Sequence, residues 1–185
     1  ADSLAVNVSA GVAAGSKDFG GMGSVTWQDM DNTVLAKASD SAITADSLAV
    51  KAASNSQAVN VAGSVAYGKT AGVGAALAYN GLDNHIGAYL AGGSVTAKTP
   101  STGVSVDVEG KNTGKIYGIG AAVAASQTAA VNGTVVVNHG GSDTEAVVGE
   151  VRPEDGTNTV KDTAVANAKA VKVKAESDDV RGAAA

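Results

Sequence analysis

The chain has 185 residues, a net charge of −5, 44% hydrophobic and 17% charged residues, 3% aromatics, 24 glycines and no cysteine. That is long enough for a buried core and too apolar for disorder. The acidic balance without a basic cluster excludes nucleic acid as a partner, the missing cysteines exclude disulfides and thiol catalysis, and no apolar run reaches the roughly 18 residues of a helical membrane span, so no membrane insertion of this segment is expected.

The first element predicted is a strand pattern at Leu4 to Val8, inside "LAVNVSAGVAAG". A charged leader does not precede it, and the chain reads as cut from a longer protein. "SVTWQDMDNTVLAKA" follows as a second strand, a turn at Asp31-Asn32 and a third strand, and "SLAVKAASNSQ" near Leu48 closes the unit. Val, Thr and Ala interrupted by Gly and Asn favour strands and turns over helices.

The pattern then repeats. "QAVNVAGSVAYG" from Gln57 restates the first stretch at a shift of 53, and "KIYGIGAAVAAS" from Lys115 restates the second at 58, so Val61 and Val65 become Ile119 and Val123. "ALAYNGLDNHIGAYLA" and "VVVNHGGSDTEAVVG" continue the second and third copies, with turns expected at Gly-Leu-Asp-Asn, His-Gly-Gly-Ser and Glu-Gly-Lys-Asn-Thr-Gly. "GVSVDVEGKNTG" and "KAVKVKAESDDV" close them. The repeats fall at 4–56, 57–114 and 115–178 of one repetitive domain, 1–185, with a fourth unit beginning at 179–185.

Apolar residues recur with a period of two, and Ala62, Ala66, Ala76 and Ala78 fill intervening positions, which predicts sheets packed on both faces with little room on one. Units of this size cannot bury their faces alone, so the expectation is an all-β, repetitive β-solenoid, right-handed by the usual rule for parallel crossovers. "RPEDGTNTVKD", Arg152 to Asp162, breaks the repeat and is expected to be an exposed insertion loop.

Several motifs carry chemistry in other settings. "GSVAYGKT", Gly63 to Thr70, has the spelling of a phosphate loop, but the other copies read "GVAAGSKD" and "AAVAASQT" and no helix pattern follows the lysine. An ordinary strand ending in a Gly-Lys-Thr turn explains it. "YGIGAAVA", Tyr117 to Ala124, lacks the third glycine of a dinucleotide fingerprint. His85 and His139, with Asp83 and Asp143 near them, offer too few ligands for zinc; Asp29, Asp31 and Asn32 form no calcium motif. No cofactor, no metal and no catalytic residue is expected. Trp27, equivalent to Tyr79 and Val137, is expected to pack in the core or on a sheet face.

The unit "AVNVAGSVAYG…GVGAALAYNGLDNHIGAYLAGGSVTA…VSVDVEG" resembles repeats of large bacterial surface proteins of the filamentous-haemagglutinin, leukotoxin-like and autotransporter-adhesin kind. Gly118 in place of Asn60, and the missing Asp-Asn pair, set the third copy apart from that pattern. The resemblance implies a β-helical, secreted, outer-membrane-associated segment on the bacterial cell surface, non-catalytic, adhering to a host or bacterial receptor or glycan. A carbohydrate-binding or carbohydrate-cleaving β-helix is the alternative, for which Trp27 would be the stacking surface. Candidate partner contacts are Arg152, Glu154, Asp155 and Lys161 in the insertion, and Trp27. Exposed strand edges would allow self-association.

Overall fold

The structure, a computed structural model, describes residues 1–15, 18–151 and 159–185. Long strands carry almost all of it: β1 (Asp2–Ala14), β2 (Phe19–Thr44), β3 (Ser47–Gly68), β4 (Ala71–Thr96), β5 (Val104–Ser126), β6 (Ala129–Val148) and β10 (Ala168–Ala184). Three short ones, β7 (Glu150–Val151), β8 (Thr159–Val160) and β9 (Ala164–Ala166), complete the set.

Successive long strands alternate between two parallel sheets, one ordered β1-β3-β5-β10 and the other β2-β4-β6 with β9 beside β4. The chain is therefore a parallel β-solenoid in which each rung is one strand of either sheet. Val8 pairs with Val61 and Val61 with Ile119, so the shifts of 53 and 58 are the rung lengths in the first sheet. Thr44 pairs with Thr96 and Ser47 with Ser105, which leaves two residues in the first link and eight in the second. The six extra residues form a turn at Lys98–Gly103, closed by the Thr102 and Gly103 amides donating to Thr99 O. Val148 follows Leu90 at 58 and Ala164 follows Ser94 at 70, so a 12-residue insertion lies between them; its described base is the antiparallel β7–β8 pair.

Two expectations are corrected here. The expected turns at Asp31-Asn32, Gly81 to Asn84, His139 to Ser142 and Glu109 to Gly114 all lie within strands. Turn-tolerant residues stay extended because the neighbouring rung supplies backbone partners along the strand, and Asn32 Nδ2 donates to Asn84 Oδ1 at 3.1 Å along the stack. The true bend along β2 and β4 comes at Asp40 and Gly92, both with positive φ. A side chain on Gly92 would meet the Asp40 carboxylate at 2.5 Å, so the stacked bend needs glycine there.

Towards the links at 69–70 and 127–128 each sheet is also packed on one face, not two; towards the links at 45–46 and 97–103 β4 is buried on both, with Gly87, Tyr89 and Ala91 covered opposite Ile86, Ala88 and Leu90. Small side chains sit inside: Ala62 of β3 faces Ala76 and Ala78 of β4 and Ala66 is buried beyond it, while Val65 and Tyr67 stand outside, 45% and 46% exposed. Valine is the larger group, yet alanine and glycine alone let the sheets close up. Gly20 marks the limit, since a side chain there would lie 1.9 Å from Tyr67 O.

The interior changes along the strands. Towards the links at 45–46 and 97–103 it is a conventional apolar core of Val50, Ile86, Leu90, Val95, Val104, Val106 and Val108. Towards the links at 69–70 and 127–128 it holds Ser24, Thr26, Gln28, Asn60, Ser64 and Asn80, all buried. We refer to these as the Leu90 end and the Tyr67 end.

Candidate functional site

The Gly63–Thr70 motif resolves as expected from its repeats. Gly63 to Gly68 finish β3, Lys69 and Thr70 turn, and Ala71 opens β4, so no helix N-terminus faces the loop. The Thr70 and Ala71 amides donate to Asp18 O and the Thr70 hydroxyl donates to Asp18 Oδ1, occupying with the neighbouring turn the groups an anion would need. "YGIGAAVA" lies within β5.

The sheets are tied across the interior by asparagines. Asn60 Nδ2 donates to Tyr79 O at 2.6 Å and Asn7 Nδ2 to Trp27 O at 3.1 Å, one tie in each of the first two rungs. The third rung has Gly118 at this position, and Val136 and Asn138 press into the space that a side chain would take. There the direction reverses: Asn80 Nδ2 donates to Tyr117 O at 2.9 Å and Asn138 Nδ2 to Gly182 O. The departure noticed in the sequence thus concerns interior packing.

On the outer face at the Leu90 end, charges form a ladder. Lys51 Nζ lies 2.7 Å from Asp107 and 2.9 Å from Glu109, and Lys172 reaches Asp107 at 3.6 Å from the next rung. The hydrogen bonds to Asp107 and Glu109 raise the Lys51 pKa well above its ordinary value, and the bond from Lys51 holds both carboxyls below theirs. Lys174 pairs with Glu176 along β10. These exposed pairs hold rungs in register, and each of these three cations is matched by a carboxylate.

His85 meets Asp143 at 3.3 Å on the outer face of the second sheet, beside Asp31 and Asp83 in a shallow depression. His139 stands two rows away, opposite Gly81. Among the described residues, no three His, Cys, Asp or Glu side chains gather into a metal site.

Of the expected partner contacts, Arg152, Glu154 and Asp155 lie outside the described residues. Lys161 is described: its Nζ pairs with Asp40 at 2.5 Å, its amide donates to Gly149 O, and its carbonyl accepts from the Gly92 amide, capping the stacked bend. Trp27 is 63% exposed on the outer face and stacked on Tyr79, ring centroids 3.9 Å apart at 15°. Tyr79 covers one face of the indole, and among the described residues β2, an edge strand, has no neighbour on the other.

What the sequence reading missed is which way the ladders point. Leu4, Val8, Val12, Val25, Val73, Val123 and Val131 are all exposed, and they lie at the Tyr67 end on the outer faces of both sheets. Period two gave the alternation; the signal for its direction was the row of Ser, Asn and Thr between the valines.

Comparison with protein-family models, with characterised proteins and with solved structures gave no match.

Proposed function

We propose that the chain is a structural and adhesive segment of a secreted, outer-membrane-associated protein of the bacterial cell surface, which mediates or presents adhesion to host or neighbouring cells and carries out no catalysis. The observation that carries this reading is the in-register stacking of rungs at shifts of 53 and 58. Such a solenoid gains length by adding rungs, each contacting only its neighbours, and displays the same side-chain rows along its whole outer surface. Length and repeated display are what a stalk or adhesive surface needs, and the resemblance of the repeats to bacterial surface adhesins adds to the reading.

The test is a binding screen against glycans and extracellular-matrix proteins, with small-angle scattering on the same sample. Saturable binding by an elongated particle is the expected outcome. A compact particle, or no binding to any surface component, overturns the adhesive role, and an elongated non-binder reduces the segment to a spacer.

A further inference from the structure

The outer surface at the Tyr67 end is arranged as a belt. In the first sheet the belt runs from the row of Val6, Val59 and Tyr117 to the row of Ala14, Tyr67 and Ala125. In the second it runs from Phe19, Ala71 and Ala129 to Trp27, Tyr79 and Val137. Every outward position between those rows is Val, Leu, Ile, Ala, Gly or an aromatic, with no charge and no hydroxyl other than those of the tyrosines. Each side spans nine residues, eight steps or about 26 Å at the rise of a parallel strand.

The two belts are level. The bonds Asn60 to Tyr79 O and Asn80 to Tyr117 O hold the lower borders together across the interior, and the close approach of Gly20 to Tyr67 O does so at the turn. Aromatics mark both borders: Phe19 and Tyr67 beside the turn, Trp27, Tyr79 and Tyr117 at the other side. That is five of the chain's six aromatic residues, one Trp, four Tyr and one Phe; the sixth, Tyr89, is buried at the Leu90 end. Beyond the borders lie polar groups, Asp18, Lys69 and Thr70 at the turn and Asp29, Asp83 and Lys115 at the other side.

We propose that the Tyr67 end inserts into a phospholipid bilayer, with its apolar belt in the hydrocarbon. Five observations point to lipid. The belt has the height of the outward apolar band of membrane-spanning strands, and aromatic girdles flank it as they flank that band. The interior behind it is polar, and Ser9, Ser24 and Ser64 hydroxyls are buried there without a hydrogen-bond partner. Apolar outside with small and polar inside is the membrane arrangement of a strand, the reverse of the aqueous arrangement that the same strands show at the Leu90 end. Finally, the belt covers two opposed faces and both are level, which a fluid phase covers together and a single protein partner does not.

The expectation against membrane insertion considered helical spans, which need about 18 apolar residues in a row; a spanning strand needs only alternate ones over 9 to 11. Hydrocarbon also tolerates no unpaired backbone group, so the free edges at β1 and β2 and at β6 and β10 must be paired by rungs of neighbouring copies. The inserted form is therefore an edge-stacked assembly. The inference does not rest on the adhesive reading.

The experiment uses Trp27, the only tryptophan, as the reporter. The protein is mixed with phosphatidylcholine vesicles, floated through a density gradient, and its emission recorded with and without bromine on the lipid chains. The expected result is co-flotation, a blue-shifted Trp27 emission and quenching by the brominated chains. Ala75→Lys puts a charge on an exposed position at mid-height of the belt and lowers vesicle binding about thirtyfold or more; Ala53→Lys, equally outward but beyond the belt, leaves it unchanged. Ala121→Lys repeats the first test in the other sheet should Ala75→Lys fail to fold by circular dichroism. Protein that stays at the bottom of the gradient with unshifted emission overturns the proposal, as does equal loss in both variants. Lateral fibres in water that Ala75→Lys dissolves, without vesicle binding, assign the belt to a second copy of the chain instead of lipid.

Discussion

At the Leu90 end the strands bury Val106, Val108 and Leu90 and display Lys51, Asp107 and Glu109; at the Tyr67 end the same strands bury Asn60, Ser64 and Ala66 and display Val65 and Tyr67. One backbone, with one register, carries two opposite solutions to burial. The difference teaches that alternation gives a strand its two faces without saying which faces inward, and that the choice follows from the space between the sheets. Where the sheets approach closely, only small residues fit and the large ones must go outside; where they stand further apart, valine and leucine fill the gap and charge moves out.

The sharpest way to break this contrast is a charge at matched positions. Val106→Asp places an unpaired carboxylate in the apolar core and abolishes cooperative folding, while Val65→Asp, on the outside, costs no more than about 1 kcal/mol in water; denaturant unfolding of the two variants distinguishes them. A truncation series sharpens it. Leu90→Ala costs about 2–5 kcal/mol, against under about 1 kcal/mol for the partly exposed Leu77→Ala. The asparagine ties come next: Asn60→Ala leaves Tyr79 O without its cross-sheet donor and costs about 1–3 kcal/mol, seen as a lower Tm and faster exchange of amides on both sheets at the Tyr67 end.

The smallest effect is that of pH on the charged ladder. The Asp107 and Glu109 carboxyls are held below their ordinary range by Lys51, so their contribution is present above about pH 4 and is lost as pH falls through their folded values. The raised Lys51 keeps its contribution through neutral pH and loses it only at strongly alkaline pH. Tm measured from pH 2.5 to 7 should show the parent above Lys51→Ala at neutral pH and the two curves converging in acid; parallel curves would remove the ladder from the account.

The rung repeat was legible in the amino-acid sequence, because identical residues stack on one another: "AVNV" at Ala5 and at Ala58 lie side by side in β1 and β3. The insertion was legible too, since Val148 to Ala164 has no counterpart between Leu90 and Ser94. The turns were not. Asp83-Asn84 and Gly140-Gly141 are turn formers in isolation, but β2 and β6 on either side of the first pair, and β4 beside the second, hold them extended, and local propensity carries no knowledge of neighbours. Lys161 was singled out for breaking the repeat and proves to cap the bend at Gly92.

By itself the sequence determined the strands, their period and their vertical register, because those depend on local side-chain alternation and on like stacking on like. The tertiary structure alone decided the facing of each ladder, the pairing of Lys51 with Asp107, and the level at which Trp27, Tyr79 and Tyr117 stand together. Those depend on how far apart the two sheets sit, and that distance is set by Gly20, Ala62, Ala76 and Asn60 acting jointly across a gap that no single stretch of sequence encodes.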